Sequence, residues 1–161
     1  GKDFRNEDLW ATASRIRDTL IPCAWIFLVG GPGETEATLD ETCRFIREAI
    51  RPTDLVFITI GVRVYPGTGM QTIDSTIRAD TQKSKPLDTR FYISPDLDID
   101  HAVRTISNLA HHHPNVIDST SISAHTIRRI HYLAGCIGLH PPLWRYTYRL
   151  KRWMRTLGVK I

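Results

Sequence analysis

The segment from Cys23 to Ile60 constrains the fold more than any other part of the chain. Cys23-Ala24-Trp25-Ile26-Phe27-Leu28-Val29 is a short, unbroken apolar run closed by Gly30-Gly31-Pro32-Gly33. That pattern predicts a strand buried on both faces, as in a parallel sheet. A helix follows from about Thr35 to Ile50, with Leu39, Cys43, Ile46 and Ile50 on one face and Thr38 to Glu41 as a capping-box echo. Glu34, Glu36, Asp40 and Glu41 stand early and Arg44, Arg47 and Arg51 late, which suits the helix dipole. Pro52 and Asp54 then turn the chain into Leu55-Val56-Phe57-Ile58-Thr59-Ile60, a β-rich run that continues through Gly61 to Val64. Strand, helix and strand with short connections make a βαβ unit, parallel and right-handed.

Length limits how many such units fit. A complete (β/α)8 barrel needs roughly 250 residues, so 161 residues hold about five βα units at most. Upstream, Asn6 with Glu7 and Asp8 reads as a helix start, and Leu9, Ala13, Ile16 and Leu20 form one stripe ending before Pro22. Downstream, Tyr65-Pro66-Gly67-Thr68-Gly69 breaks the strand, a short helix runs to Arg78, and residues 79–90 read as a surface loop. Phe91 to Pro95 is a short extended piece. Helices are expected from Ile99 to His111, from Ser121 to Ile137 (presenting Ile127, Ile130, Ala134 and Ile137) and from Leu143 to Leu157. The expected fold class is therefore α/β, a partial parallel-stranded barrel segment over residues 1–90 followed by a mostly helical extension over 91–161.

Composition excludes several classes. An apolar share of 42% with 24% charged residues is that of a globular chain, not a disordered or collagenous one. No apolar run approaches the roughly 18 residues of a membrane span. The net charge of +4 divides unevenly: residues 1–118 hold 13 basic and 17 acidic groups (−4), and residues 119–161 hold 8 basic and none acidic (+8). Within that tail, Leu143, Tyr146, Leu150, Trp153 and Leu157 form an apolar stripe beside Arg145, Arg149, Lys151 and Arg152. Such a basic amphipathic helix packs on its own domain, lies on an anionic membrane surface or meets an acidic partner, with nucleic acid the least favoured of these. Cys23, Cys43 and Cys136 are too few and too far apart for a disulfide framework, which fits a reducing compartment such as the cytoplasm. The chain opens on Gly1 and not on Met, which is expected of a segment cut from something longer.

The chemistry-bearing candidates are two turns at the carboxyl ends of adjacent parallel strands, where α/β proteins place ligands. Gly30-Gly31-Pro32-Gly33-Glu34-Thr35 is the first; it matches neither the phosphate-cradling P-loop nor GxGxxG, and its glutamates would repel an anion. Glycines alone are equally compatible with a turn that holds no ligand. Tyr65-Pro66-Gly67-Thr68 is the second. Together, Gly30 to Thr35 and, some thirty residues on, Arg63-Val64-Tyr65-Pro66-Gly67-Thr68 resemble the last two strand ends of the radical S-adenosylmethionine (radical SAM) enzymes. The cobalamin-dependent and methylthiotransferase-like branches are the most similar. The resemblance covers residues 2–70 and, more loosely, 91–95.

The resemblance implies that Leu28, Gly30, Gly31, Pro32 and Gly33 form a surface packing on the adenine of S-adenosylmethionine, with Glu34 ordering the turn by accepting from backbone N–H groups. It implies that Val64, Tyr65, Pro66 and Gly67 offer backbone hydrogen bonds to the adenine edge. No catalytic acid or base is implied. Family chemistry begins at a C-x-x-x-C-x-x-C loop holding a [4Fe–4S] cluster, and no arrangement of the three cysteines here is that loop. The chain therefore looks like the carboxyl-terminal part of a radical SAM Fe–S oxidoreductase, inactive alone. Its expected partner is the cluster-binding amino-terminal part, and cobalamin is an expectation for the parent protein. Unpaired strand edges would also allow a homodimer. The alternative is a non-catalytic module that uses the basic helix over 143–157 to meet an anionic membrane or acidic partner. His111-His112-His113 cannot converge on one ion, since neighbours on a helix point about 100° apart, and His125 and His131 fall on different faces. No metal ligand is expected among them.

Overall fold

The computed structural model of the chain describes residues 3–65, 68–73, 90–118, 124–140, 142–146, 148–149, 152 and 156. Helix α1 spans Asn6–Arg17. Its cap sits one residue earlier than Asn6, because the Arg5 N–H donates to the Asp8 carboxylate at 2.8 Å. Strand β1 (Ala24–Val29) leads through the glycine turn into α2 (Glu36–Ala49). The capping box there is Thr35 with Thr38 and not Thr38 with Glu41: Thr38 Oγ1 accepts from the Thr35 N–H at 2.9 Å, and Thr35 Oγ1 accepts from the Thr38 N–H at 3.3 Å.

The extended run after Asp54 is two strands, not one. Strand β2 (Leu55–Ile60) stops at Gly61, whose φ of +87° is left-handed, and β3 (Val62–Val64) then leaves the sheet to pair antiparallel with β4 (Arg90–Tyr92). After β4 come α3 (Ile99–His112), β5 (Val116–Asp118) and α4 (Ala124–Cys136). Strand β5 was not expected. It pairs parallel with β2, Val56 opposite Val116 and Ile58 opposite Asp118, giving the sheet order β1-β2-β5. A βαβ unit is thus present, with β1 and β2 parallel in the register Ala24 to Leu55 through Val29 to Ile60. The architecture is mixed α/β around a three-stranded parallel sheet, and the described residues form no closed barrel.

The two faces of this sheet differ. Val29, Val56, Ile58 and Val116 are buried in one cluster with Leu39, Cys43 and Ile46 of α2 and Ala102, Ile106 and Leu109 of α3. Ala13 of α1 joins them. That cluster draws residues from both sides of the division expected near residue 90, since α3 and β5 pack into the same core as β1, α2 and β2. The opposite face has no such cover: Ile26 and Leu28 are 69% and 60% exposed, and the register sets them beside Phe57 and Thr59 of β2, with Ile117 next to Phe57.

At the amino ends of the strands the core is closed by an ion pair. Asp54 is 2% exposed and receives Arg51 Nε at 3.0 Å, Arg51 Nη2 at 2.8 Å and the Cys23 N–H at 3.2 Å. The same guanidinium donates to the carbonyls of Thr19 and Ile21, and Asn115 Nδ2 donates to the Arg51 carbonyl. Arg51 is therefore not a solvated charge at a helix end: one fork joins the α1–β1 connection to the β2 entry. Its hydrogen bond to Asp54 outweighs partial burial and holds the guanidinium more firmly protonated than usual.

Two expected apolar stripes end sooner than their spacing suggests. Helix α1 stops at Arg17, so Leu20 stands in solvent; α4 stops at Cys136 and Ile137 is 73% exposed, followed by Gly138 at φ +75°. The helix expected over Leu143–Leu157 opens with a 3-10 turn at Leu143–Tyr146. Much of its remainder lies outside the described residues, as do most of the short helix before Arg78 and nearly all of the 79–90 loop.

Candidate functional site

The glycine turn is held by its own glutamate. Glu34 Oε2 accepts from the N–H of Gly30 at 2.6 Å and of Gly31 at 3.0 Å, while the Glu34 N–H donates to the Gly31 carbonyl at 3.1 Å. Gly30 (φ +94°) and Gly33 (φ +77°) supply the left-handed geometry that brings the carboxylate back over the turn. The N–H groups that a P-loop would offer to a phosphate are here taken by a carboxylate of the chain itself. The Gly30 and Gly31 N–H groups are therefore not open to an anion.

The ends of β1 and β2 are stitched together above the sheet. The Gly61 N–H donates to the Val29 carbonyl at 2.7 Å, and the Ser94 N–H donates to the Gly30 carbonyl at 2.9 Å. A Cβ on Gly30 would stand 3.4 Å from Ile93 Cγ2, and one on Gly61 would stand 3.2 Å from Phe91 Cβ. Both glycines therefore admit the chain's own 91–94 segment. Gly33 differs, since nothing lies within 4 Å of where its Cβ would be, and Gly31 meets only Glu34 Oε2 and Val62 at 4.0 Å.

A cleft of about 610 Å³ opens where β1, the edge strand, meets α1, α2 and the turn. Leu28, Gly31, Pro32, Gly33 and Glu34, five of the residues expected at a cofactor surface, all line it. Trp10, Phe27 and Phe45 make its lining aromatic, with Phe45 meeting Trp10 and Phe27 edge-on at centroid distances of 5.1 and 6.2 Å and packing on Trp25, outside the lining, at 5.8 Å. Glu7, Glu41 and Arg44 also face it. These helix residues escaped the sequence reading, although topology offered the signal. A helix before a strand and a helix after it run opposite to that strand, so the amino ends of α1 and α2 both lie at its carboxyl end. Cys43 sits behind the cleft in the core, where burial pushes its thiol pKa up.

Of the second turn, the described residues Val64, Tyr65 and Thr68 do not line that cleft. Val64 is buried against Tyr92 and Met70. Tyr65 is half exposed; its hydroxyl accepts from Arg63 Nη1 at 3.3 Å, and its carbonyl accepts from the Thr68 N–H and hydroxyl at 3.3 and 2.8 Å. The Arg63 guanidinium also lies 6.0 Å from the Tyr65 ring centroid and 5.6 Å from that of Phe91. Beyond β4, strand β3 has no other strand partner among the described residues. Pro66 and Gly67 lie outside the described residues.

Metal chemistry has no centre among the described residues, where no three His, Cys, Asp or Glu side chains are grouped to hold an ion. Cys23 is half-buried, Cys43 buried and Cys136 exposed. His112 shares a hydrogen bond with the Asn108 carbonyl at 2.8 Å through Nδ1. The residues present therefore do not fit a [4Fe–4S] cluster. No helix among the described residues is long and apolar enough to cross a membrane. Comparison with protein-family models, with curated proteins and with solved structures finds no match to this chain.

Proposed function

We propose that this chain is the carboxyl-terminal part of a radical SAM Fe–S oxidoreductase and supplies the adenine-side wall of its S-adenosylmethionine site. One observation carries the reading: a parallel sheet whose helices cover one face leaves the other face apolar and open, with a self-ordered glycine turn at the strand ends. Ile26, Leu28, Phe57 and Ile117 on the open face have the character of the inner wall of a barrel whose remaining strands belong elsewhere. Leu28, beside Gly31 and Gly33, gives the adenine an apolar shelf, and the carboxylate of Glu34 keeps the turn in shape while repelling anionic ligands. The family pattern assigns the adenine rim to the backbone of Val64, Tyr65, Pro66 and Gly67, of which Val64 and Tyr65 lie outside the cleft that Leu28 lines.

When bound, S-adenosylmethionine supplies a deoxyadenosyl radical upon reductive cleavage, and the cluster that reduces it belongs to the amino-terminal part. This chain binds and orients; it moves no proton and donates no electron. Two measurements test the reading. The polypeptide encoded ahead of Gly1 is expected to carry C-x-x-x-C-x-x-C within the ~150 residues that the earlier part of a roughly 250-residue barrel occupies. The protein that includes both parts, reconstituted anaerobically with iron and sulfide, is expected to release 5′-deoxyadenosine from S-adenosylmethionine under dithionite. An upstream sequence without that motif, or a reconstituted protein that releases none, overturns the proposal.

A further inference from the structure

Helix α4 presents an unusual outward surface. At about 100° per residue, Arg128, Tyr132 and Cys136 stack in one row, and Arg129, Leu133 and Ile137 form the row beside it. All six are exposed, Tyr132 at 74%, Leu133 at 62% and Ile137 at 73%, whereas Ala134 on the opposite side is buried. Arg128, Arg129, Tyr132 and Leu133 line one surface depression. Large apolar side chains exposed singly are ordinary, but Tyr132 and Leu133 on the helix, joined by Ile137 one residue past its end, mark an interaction surface.

Charge names the partner. Arg128 and Arg129 stand on the patch itself, and the sequence that carries it, residues 119 to 161, has 8 basic groups and no acidic one. We infer that α4 is a membrane-surface helix that docks on anionic lipid, with Arg128 and Arg129 meeting headgroup phosphates while Tyr132, Leu133 and Ile137 enter the headgroup–acyl boundary. The arginine stems lie along the apolar rows and carry their charge to the phosphates, as interfacial helices do. Nucleic acid fits less well, because phosphate contacts satisfy the arginines and leave Leu133 and Ile137 in water. The contact is peripheral, in keeping with the lack of any spanning helix among the described residues. The inference is independent of the radical SAM reading.

Cys136 provides the probe. In the full chain carrying Cys23→Ser, Cys136 is the accessible thiol, because Cys43 is 1% exposed. A polarity-sensitive nitrobenzoxadiazole label placed there is expected to brighten and shift to the blue with vesicles of phosphatidylcholine and phosphatidylglycerol in equal parts, and to stay unchanged with phosphatidylcholine alone. Each arginine is worth about a fivefold factor in partitioning at low salt. Arg128→Glu with Arg129→Glu is therefore expected to weaken binding by at least ~25-fold, and Leu133→Ser with Ile137→Ser to abolish the blue shift. Both pairs are exposed, and unchanged circular dichroism verifies the fold. Vesicle binding that survives both pairs but is lost on replacing Arg145, Arg149 and Arg152 would place the contact in the tail and overturn the inference. An equal response to a single-stranded oligonucleotide, or no response to either vesicle, would overturn it as well.

Discussion

Replacing Glu34 isolates what the turn does. One of its carboxylate oxygens, Oε2, accepts two backbone N–H groups, at 2.6 and 3.0 Å, in part-buried hydrogen bonds. A hydrogen bond to a charged group contributes about 1.5–3 kcal/mol net where it is shielded. Water reaches this turn and replaces part of each bond, so Glu34→Ala is expected to cost about 2–3 kcal/mol in total. Glu34→Gln keeps an acceptor oxygen within reach and loses only the charge assistance, which sets its cost near 1 kcal/mol. Urea denaturation gives these differences, and amide hydrogen exchange locates them: Gly30 and Gly31 should lose protection in the Ala variant and keep most of it in the Gln variant. The α2 capping box of Thr35 and Thr38 is a separate unit, so α2 amides should be little changed. An Ala variant within 0.5 kcal/mol of the parent, with Gly30 and Gly31 equally protected, would refute the reasoning.

The ion pair at the amino ends of the strands predicts an unequal response. Arg51→Met strands a carboxylate that is 2% exposed and should cost about 3–5 kcal/mol, or roughly 6–20 °C in melting temperature, whereas Asp54→Asn leaves Arg51 its Thr19 and Ile21 carbonyls and should cost less; calorimetry that reverses this order contradicts the account. Gly61→Ala meets both a left-handed φ and Phe91 Cβ at 3.2 Å, so a loss of about 1–3 kcal/mol is expected in denaturant titrations, and a neutral outcome would mean that β3 and β4 do not pack there. Because burial raises the Cys43 pKa, the folded state holds its proton where the unfolded chain gives it up. The stabilisation is complete below the unfolded thiol value and falls away as pH rises above it, so Cys43→Ala should show a flatter decline of stability between about pH 8 and 10.

The strand–helix–strand unit was legible because its signals are local: a closed apolar run, one stripe on a helix, and glycines between them. Strand β5 was hidden by its brevity, since Val116-Ile117-Asp118 shows no alternation and becomes a strand only because β2 has a free edge to receive it. The break at Gly61 was equally opaque, because nothing in Leu55 to Val64 says which glycine turns left-handed until Phe91 packs over it. Glu34 was legible as an ordering residue only through the family resemblance. The fork of Arg51 was not, since its acceptors at Thr19 and Ile21 lie some thirty residues away. In α4 the expected stripe is Ile127, Ile130, Ala134 and Ile137; Ala134 is buried, whereas Ile137 lies past the helix end and is exposed, as Leu133 is.

The central claim, an adenine-binding wall at these strand ends, is tested most directly by titrating the isotope-labelled chain with S-adenosylhomocysteine in an NMR experiment. The account predicts saturable shifts at Leu28, Gly31, Gly33 and Glu34 and, at the end of β3, at Val64 and the following Tyr65, reproduced by adenosine and absent with methionine. Shifts confined to other parts of the chain, or none with adenosine at millimolar concentration, would contradict it.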